Sequence, residues 1–358
     1  MQKALAAIVL PKSLRDDIAQ RLDPLIRFRK NREPASRKTR DNKWQFYNRM
    51  FAELWVLGYK IRNVGNFRPR HVEALMMSWS DKSVSELHTR LSMMNLLLEF
   101  LGKGDQVKSV RDYFPERDTT RKLVAQENKS WEARDIDVEA LIEKARALDE
   151  RLGCILALQH HFGLRVKEAI EMRPLRAASD GEGAALLLIE GTKGGRPRII
   201  PIKTTGQRQA IEWACALAKS AKSERMRWPR DTWKQSQAKF YYRCSSWLGI
   251  SRKELGVTAH GLRHGFAQTA YRRKTGMPTP IEGGALGRID RTCHAEAARV
   301  VAQQLGHGRI YVSGSYYGSY GHQLRGSAGE QNPQIPSSAF PDWQSDCYRY
   351  VSVSVGLS

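Results

Sequence analysis

One short stretch constrains the fold of this 358-residue chain more than any other. Ala185 to Glu190 and Arg198 to Ile202 are β-prone runs joined by Gly191-Thr-Lys193-Gly-Gly-Arg196-Pro, a hairpin signal. The apolar residues on either side of it recur mainly at spacings of three and four, the period of a helix. The expected fold is therefore mainly α with a small antiparallel β-sheet. A chain of this length also outgrows a single core, so two domains are expected.

In the first half, Trp44, Tyr47, Phe51, Leu54 and Trp55 line one helix face before Gly58. His71, Leu75, Met76 and Trp79 mark a second helix after Pro69. Ser83 and Glu86 have the form of a capping box, and Leu87, Leu91, Met94, Leu98 and Leu101 follow at helical spacing up to Gly102. Residues 41–115 read as a small helical domain and 116–130 as a linker. A second domain is expected over 131–320, with helices around Val138 to Leu148, Ile155 to Phe162, Gln207 to Ala221, Trp233 to Trp247, Thr258 to Arg273 and Ala295 to Leu305. Met277 to Arg291, rich in Gly and Pro, reads as a loop insertion. Residues 1–40 are expected to be a basic arm. Residues 321–358, rich in Ser, Gly, Gln and Pro, are expected to be a tail in which Tyr348 to Val355 alternates enough to form an edge strand.

Lys and Arg total 59 against 37 Asp and Glu, a formal charge of +22 that divides evenly between residues 1–130 and the remainder. Such an excess favours a polyanionic partner, because each neutralised phosphate releases counterions. Arg27 to Lys43 is the densest stretch, opposed only by Glu33 and Asp41, and Arg37, Lys38, Arg40 and Lys43 are its candidate DNA contacts. No apolar run is long enough to span a bilayer. The run from Ala4 to Leu10 ends at Pro11 without a small-residue cleavage motif, which argues against a signal peptide. Cys154, Cys215, Cys244, Cys293 and Cys347 lie far apart without a C-x-x-C pair, as expected of reduced thiols in a cytoplasmic protein and not of zinc ligands or a disulfide framework.

Five separated pieces of the second half fit one chemistry. They are Arg165 in Gly-Leu-Arg165-Val-Lys-Glu168, Lys193 in the hairpin, His260-Gly-Leu-Arg263-His264, Leu305-Gly-His307, and a tyrosine cluster of Tyr311, Tyr316, Tyr317 and Tyr320. A phosphodiester under attack gains negative charge, and a guanidinium answers it with a planar fork that stays charged. Arg165 and Arg263 are the candidates for that role, with Glu168 three residues on to fix Arg165. Lys193 can protonate a departing oxygen. His260, at i with Arg263 at i+3, can exchange a proton at neutral pH with an attacking phenol. His264 is expected to point elsewhere on the helix. His307 lies between two glycines, in reach of phosphate. Composition does not choose the nucleophile among the four tyrosines.

These residues resemble the catalytic domain of tyrosine recombinases, the phage integrase family, whose pattern is Arg, Lys, His-x-x-Arg, His or Trp, and Tyr in that order. The match covers about residues 131 to 320. Residues of about 40 to 115, with Leu57-Gly-Tyr-Lys and Arg70-His-Val-Glu-Ala-Leu before Trp79, also look like the core-binding domain of prophage integrases. The family's tyrosine stands nine positions after the Leu-Gly-His histidine, which implies Tyr316, with Tyr317 as the alternative. The resemblance implies site-specific cleavage and rejoining of double-stranded DNA for a prophage or mobile element, through a 3′-phosphotyrosyl intermediate that needs neither ATP nor metal. It also implies a two-domain clamp, a homotetramer exchanging strands on DNA, and accessory DNA-bending or directionality factors. Two rival readings are a type IB topoisomerase-like relaxing enzyme and a DNA-binding module with decayed catalysis.

Overall fold

The computed structural model describes residues 9–321 apart from 30, 105–107, 222 and 285–288. The expected tail strand and Cys347 lie outside the described residues. The chain divides into two compact units, Met1–Leu123 with Lys193–Gly195, and Val124–Thr192 with Arg196–Ser358.

The first unit is helical: α1 (Lys12–Arg21), α2 (Asp23–Arg27), α3 (Arg37–Val56), α4 (Pro69–Ser78), α5 (Val84–Phe100) and α6 (Val110–Tyr113). Its core joins Leu14, Ile18 and Leu22 to Phe51, Leu54, Leu75, Trp79, Leu91 and Met94. The arm expected over residues 1–40 is thus folded from Lys12 onward. Leu14, Ile18 and Leu22 recur every four residues and form one apolar stripe among evenly mixed Lys, Arg and Asp residues. A second correction concerns Lys43, which is buried, its ammonium donating to the carbonyls of Leu25 at 2.7 Å and Phe28 at 2.8 Å. It satisfies carbonyls that the end of α2 leaves unpaired, and so has no free charge to offer a phosphate. Trp44, expected on the buried face, is exposed. The capping box at Ser83 is half made: the Ser83 hydroxyl accepts from the Glu86 amide, whereas the Glu86 carboxylate turns to Arg90 at 2.7 Å.

The second unit contains α7 (Val138–Leu148), α8 (Glu150–Phe162), α9 (Val166–Glu171), α10 (Pro174–Ser179), β1 (Ala185–Leu188), β2 (Arg198–Pro201), α11 (Thr205–Ser220), α12 (Trp233–Leu248), α13 (His260–Thr275), α14 (Arg291–Leu305) and α15 (Gly314–Tyr317). The strands pair antiparallel with Leu186 opposite Ile200 and Leu188 opposite Arg198. Strand alternation puts Leu186, Leu188, Ile200 and Arg198 on the buried face, while Ile199 faces outward. One arginine is therefore carried into the core by register. α8 is buried along most of its length and ends at Gly163, whose φ of 60° places it in the left-handed region. A Cβ at Gly163 would stand 2.4 Å from the Phe266 ring, so glycine is required both by conformation and by space. In the expected insertion, Thr279 is buried, and its backbone amide and hydroxyl both donate to the Glu282 carboxylate, at 2.9 and 2.8 Å.

Candidate active site

Arg165 is the N-cap of α9, and its backbone amide donates to Glu168 Oε2 at 2.7 Å while its Nη1 donates to Oε1 at 2.6 Å. One glutamate thus caps the helix and clamps the guanidinium. The carboxylate has a second cation that the sequence reading missed. Arg198 Nη2 donates to Glu168 Oε2 at 2.7 Å, and Arg263 Nη1 lies 3.8 Å from the same oxygen. Alternation along the β2 run was the available signal, since it places Arg198 on the face of Ile200, where a charge requires a partner.

Arg263 has no exposed surface. Its Nη1 donates to the Gly163 carbonyl, its Nη2 to the Leu305 carbonyl at 2.6 Å, and its Nε to the Tyr316 hydroxyl at 3.2 Å. The ends of α8 and α14 therefore aim their unpaired carbonyls at one guanidinium. His307 follows α14 and stands with Nε2 3.4 Å from Arg263 Nη2 and Nδ1 2.8 Å from Ser313 Oγ. Its ring stacks on Tyr316 at 5.4 Å between centroids.

Tyr316 lies on α15, where Gln268 Nε2 donates to its carbonyl at 3.1 Å. His260 and His264 on α13 face the Tyr316 ring at 5.7 and 4.6 Å between centroids. His264, expected to point elsewhere, is instead packed against the phenol, because residues four apart on a helix share a face. The other tyrosines have different surroundings. Tyr317 stacks on Tyr271 at 5.1 Å and burial raises its phenol. Tyr311 is exposed beside Arg309, and the Tyr320 hydroxyl donates to the Ile289 carbonyl. Lys193 is exposed at the hairpin tip, within the segment that groups with the first unit.

Burial, then the charges of Arg263, Arg165 and Lys129, lowers His260 to about 4. Burial, with His260 and Lys129, lowers His264 to about 3. Both imidazoles are neutral at pH 7, and His260 is then a proton acceptor. Arg198 falls to about 9, its burial outweighing the attraction of Glu168, and burial also lowers Arg263. Three guanidiniums thus share one buried carboxylate. A desolvated surplus of positive charge is costly until an anion arrives, which is the property of a phosphate site. Removing the shared carboxylate by Glu168→Ala is expected to lower stability by about 3–5 kcal/mol in urea unfolding, and a loss below about 1 kcal/mol contradicts its role.

Comparison with family profiles matches residues 21–107 to "Phage integrase, N-terminal" and residues 123–269 to "Integrase", together more than half of the chain. Among solved structures, the Tn1549 transposon integrase in complex with a circular intermediate DNA is similar at 11% identity. It covers 87% of this chain and 98% of that chain, with a TM-score of 0.57. A lambda integrase dimer bound to a COC′ core site is similar at 13% identity, covering 83% of this chain and 75% of that one, with a TM-score of 0.52. Comparison with curated proteins finds no match. Among the described residues no helix is long and apolar enough to cross a membrane.

Proposed function

Because this chain belongs to the phage integrase family of tyrosine recombinases, we propose that it is a site-specific DNA recombinase acting through a 3′-phosphotyrosyl intermediate. At the level of the family it is a DNA breaking and rejoining enzyme. The observation that carries the residue assignment is the hydrogen bond from Arg263 to the Tyr316 hydroxyl beside two further guanidiniums. With Arg263 otherwise enclosed, a phosphate oxygen reaches it where the phenol oxygen now stands.

In the proposed reaction, Tyr316 Oη attacks the scissile phosphorus, passing its proton to neutral His260. The bond from phosphorus to the 5′ oxygen breaks, and Lys193 protonates the leaving oxygen. Arg165, Arg263 and His307 hold the nonbridging oxygens, whose charge grows in the transition state. Each guanidinium at about 4 Å contributes about 4 kcal/mol at an effective dielectric of 20, before desolvation. Rejoining reverses these steps with a free 5′-hydroxyl as nucleophile. The role of Lys193 rests on its place in the motif.

Double-stranded DNA is the proposed substrate, and assembly of several copies on it follows by likeness to the lambda integrase dimer bound to its core site. Arg37, Lys38 and Arg40 are exposed on the first turn of α3. Cations there oppose the helix dipole, so they do not serve the helix and are available to backbone phosphate. The logarithm of duplex affinity is expected to fall linearly with the logarithm of salt concentration, and Arg37→Ala, Lys38→Ala and Arg40→Ala should each reduce that slope by about one. Lys43→Ala should leave the slope unchanged, and filter binding over a salt series checks all four.

The proposal as a whole is tested with a nicked suicide duplex carrying the chain's own crossover site, taken from DNA flanking its coding region. Covalent capture of the broken strand and pairing of two labelled duplexes are expected. Capture without pairing indicates a relaxing enzyme, and tight binding without capture indicates a DNA-binding module.

A further inference from the structure

Among the described residues, one group outside this site has the donor types and spacing of a metal centre: Glu139, His160 and His161. Glu139 is in the first turn of α7, and the two histidines are in the last turn of α8. Helices joined in a tight hairpin run back past each other, which brings the start of one to the end of the other. Glu139 Oε1 lies 3.6 Å from His160 Nε2 and 3.6 Å from His161 Nε2. All three donor atoms fall within 4.8 Å of one another. Tetrahedral coordination at bond lengths of about 2.0–2.1 Å places neighbouring donors about 3.3 Å apart. The two carboxylate–imidazole distances need shorten by only a few tenths of an ångström, which the exposed Glu139 side chain can supply, while the imidazole nitrogens also draw together from within 4.8 Å.

Two other features favour a metal over an ordinary ion pair. The imidazole rings meet edge to face, 4.7 Å between centroids at 65°, which keeps both beside the same carboxylate. Both histidine side chains are largely buried, 21% and 17% exposed, and turn their Nε2 atoms to the one exposed Glu139 carboxylate. The His161 ring is also seated: its carbonyl accepts from Gln207 Nε2 at 3.0 Å, and a Cβ at Gly206 would stand 2.5 Å from its Cε1. The charge of Arg273, felt at His161, acts against an incoming cation, whereas that of Glu132, felt at His160, acts for it.

We propose that Glu139, His160 and His161 bind a borderline divalent transition-metal ion of the Zn²⁺ class, with water completing the coordination. The site closes the α7–α8 hairpin just ahead of Gly163 and Arg165 and takes no part in the phosphoryl chemistry.

The test uses the full chain, dialysed against EDTA and titrated with ZnCl2 by calorimetry, with thermal unfolding followed in parallel. Saturable binding at one site and a higher Tm with Zn²⁺ are expected. Glu139→Gln, an exposed change outside the core, should weaken binding by about 10–100-fold, and so should His160→Gln and His161→Gln. Titration with Co²⁺ separates this site from the cysteines: visible d–d bands without sulfur charge transfer are expected. Absence of saturable Zn²⁺ binding, a sulfur charge-transfer band, or unchanged affinity in Glu139→Gln overturns the proposal. If the histidine variants do not fold, Glu139→Gln decides alone.

Discussion

Tyr316→Phe should abolish the covalent adduct on a nicked suicide duplex while leaving duplex affinity nearly unchanged. The substitution keeps the ring between His307 and His264 and removes only the hydroxyl that receives Arg263 Nε. Leaving this charged donor without its acceptor costs about 1.5–3 kcal/mol, which the fold should survive. The neighbouring Tyr317 does not replace it, because it faces Tyr271 and burial raises its phenol. Tyr317→Phe should accordingly retain the adduct. Persistence of the adduct in Tyr316→Phe together with its loss in Tyr317→Phe would move the nucleophile by one residue.

Arg165→Ala should slow cleavage by about 10²–10³, the scale on which loss of one preorganised charge-stabilising group acts. Arg165 is the most accessible of the three arginines around Glu168, its side chain 23% exposed against 3% for Arg198 and none for Arg263. Its truncation therefore reads the chemistry with the least disturbance of packing. Arg165→Lys should recover only part of the rate, since an ammonium replaces the charge but not the planar fork. Single-turnover cleavage at saturating protein distinguishes this from a binding defect. A rate within about tenfold of the unaltered chain, combined with weakened affinity, would make Arg165 a contact to the DNA backbone only.

The ordered motifs were legible because each carries a residue type that the chemistry needs. Their convergence was not, since nothing local in the sequence brings Gly163, Leu305 and Tyr316 to a single guanidinium. The helices of both units follow the spacing of their apolar residues, as at Val138 to Leu148 and Ser83 to Leu101, with boundaries set by Ser, Asp and Gly caps. Arg198 stands in a β-prone run with no local mark of a role, and its importance comes from register with Leu188 and from the Glu168 carboxylate thirty residues away. Residues 12–27 misled in the opposite direction. There four Lys and Arg are nearly balanced by three Asp, and burial of the apolar stripe of Leu14, Ile18 and Leu22 folds the segment. Lys43 shows the limit of charge patterning, since its ammonium answers two backbone carbonyls that only the fold brings near.

Mass spectrometry of the trapped adduct, after nuclease and protease digestion, tests most directly whether these residues form one working pocket. A nucleotide 3′-phosphate attached to the peptide at Tyr316, with a free 5′-hydroxyl on the released strand, is the expected product. Attachment at Tyr311, Tyr317 or Tyr320, or release of a 5′-linked nucleotide, would contradict the account.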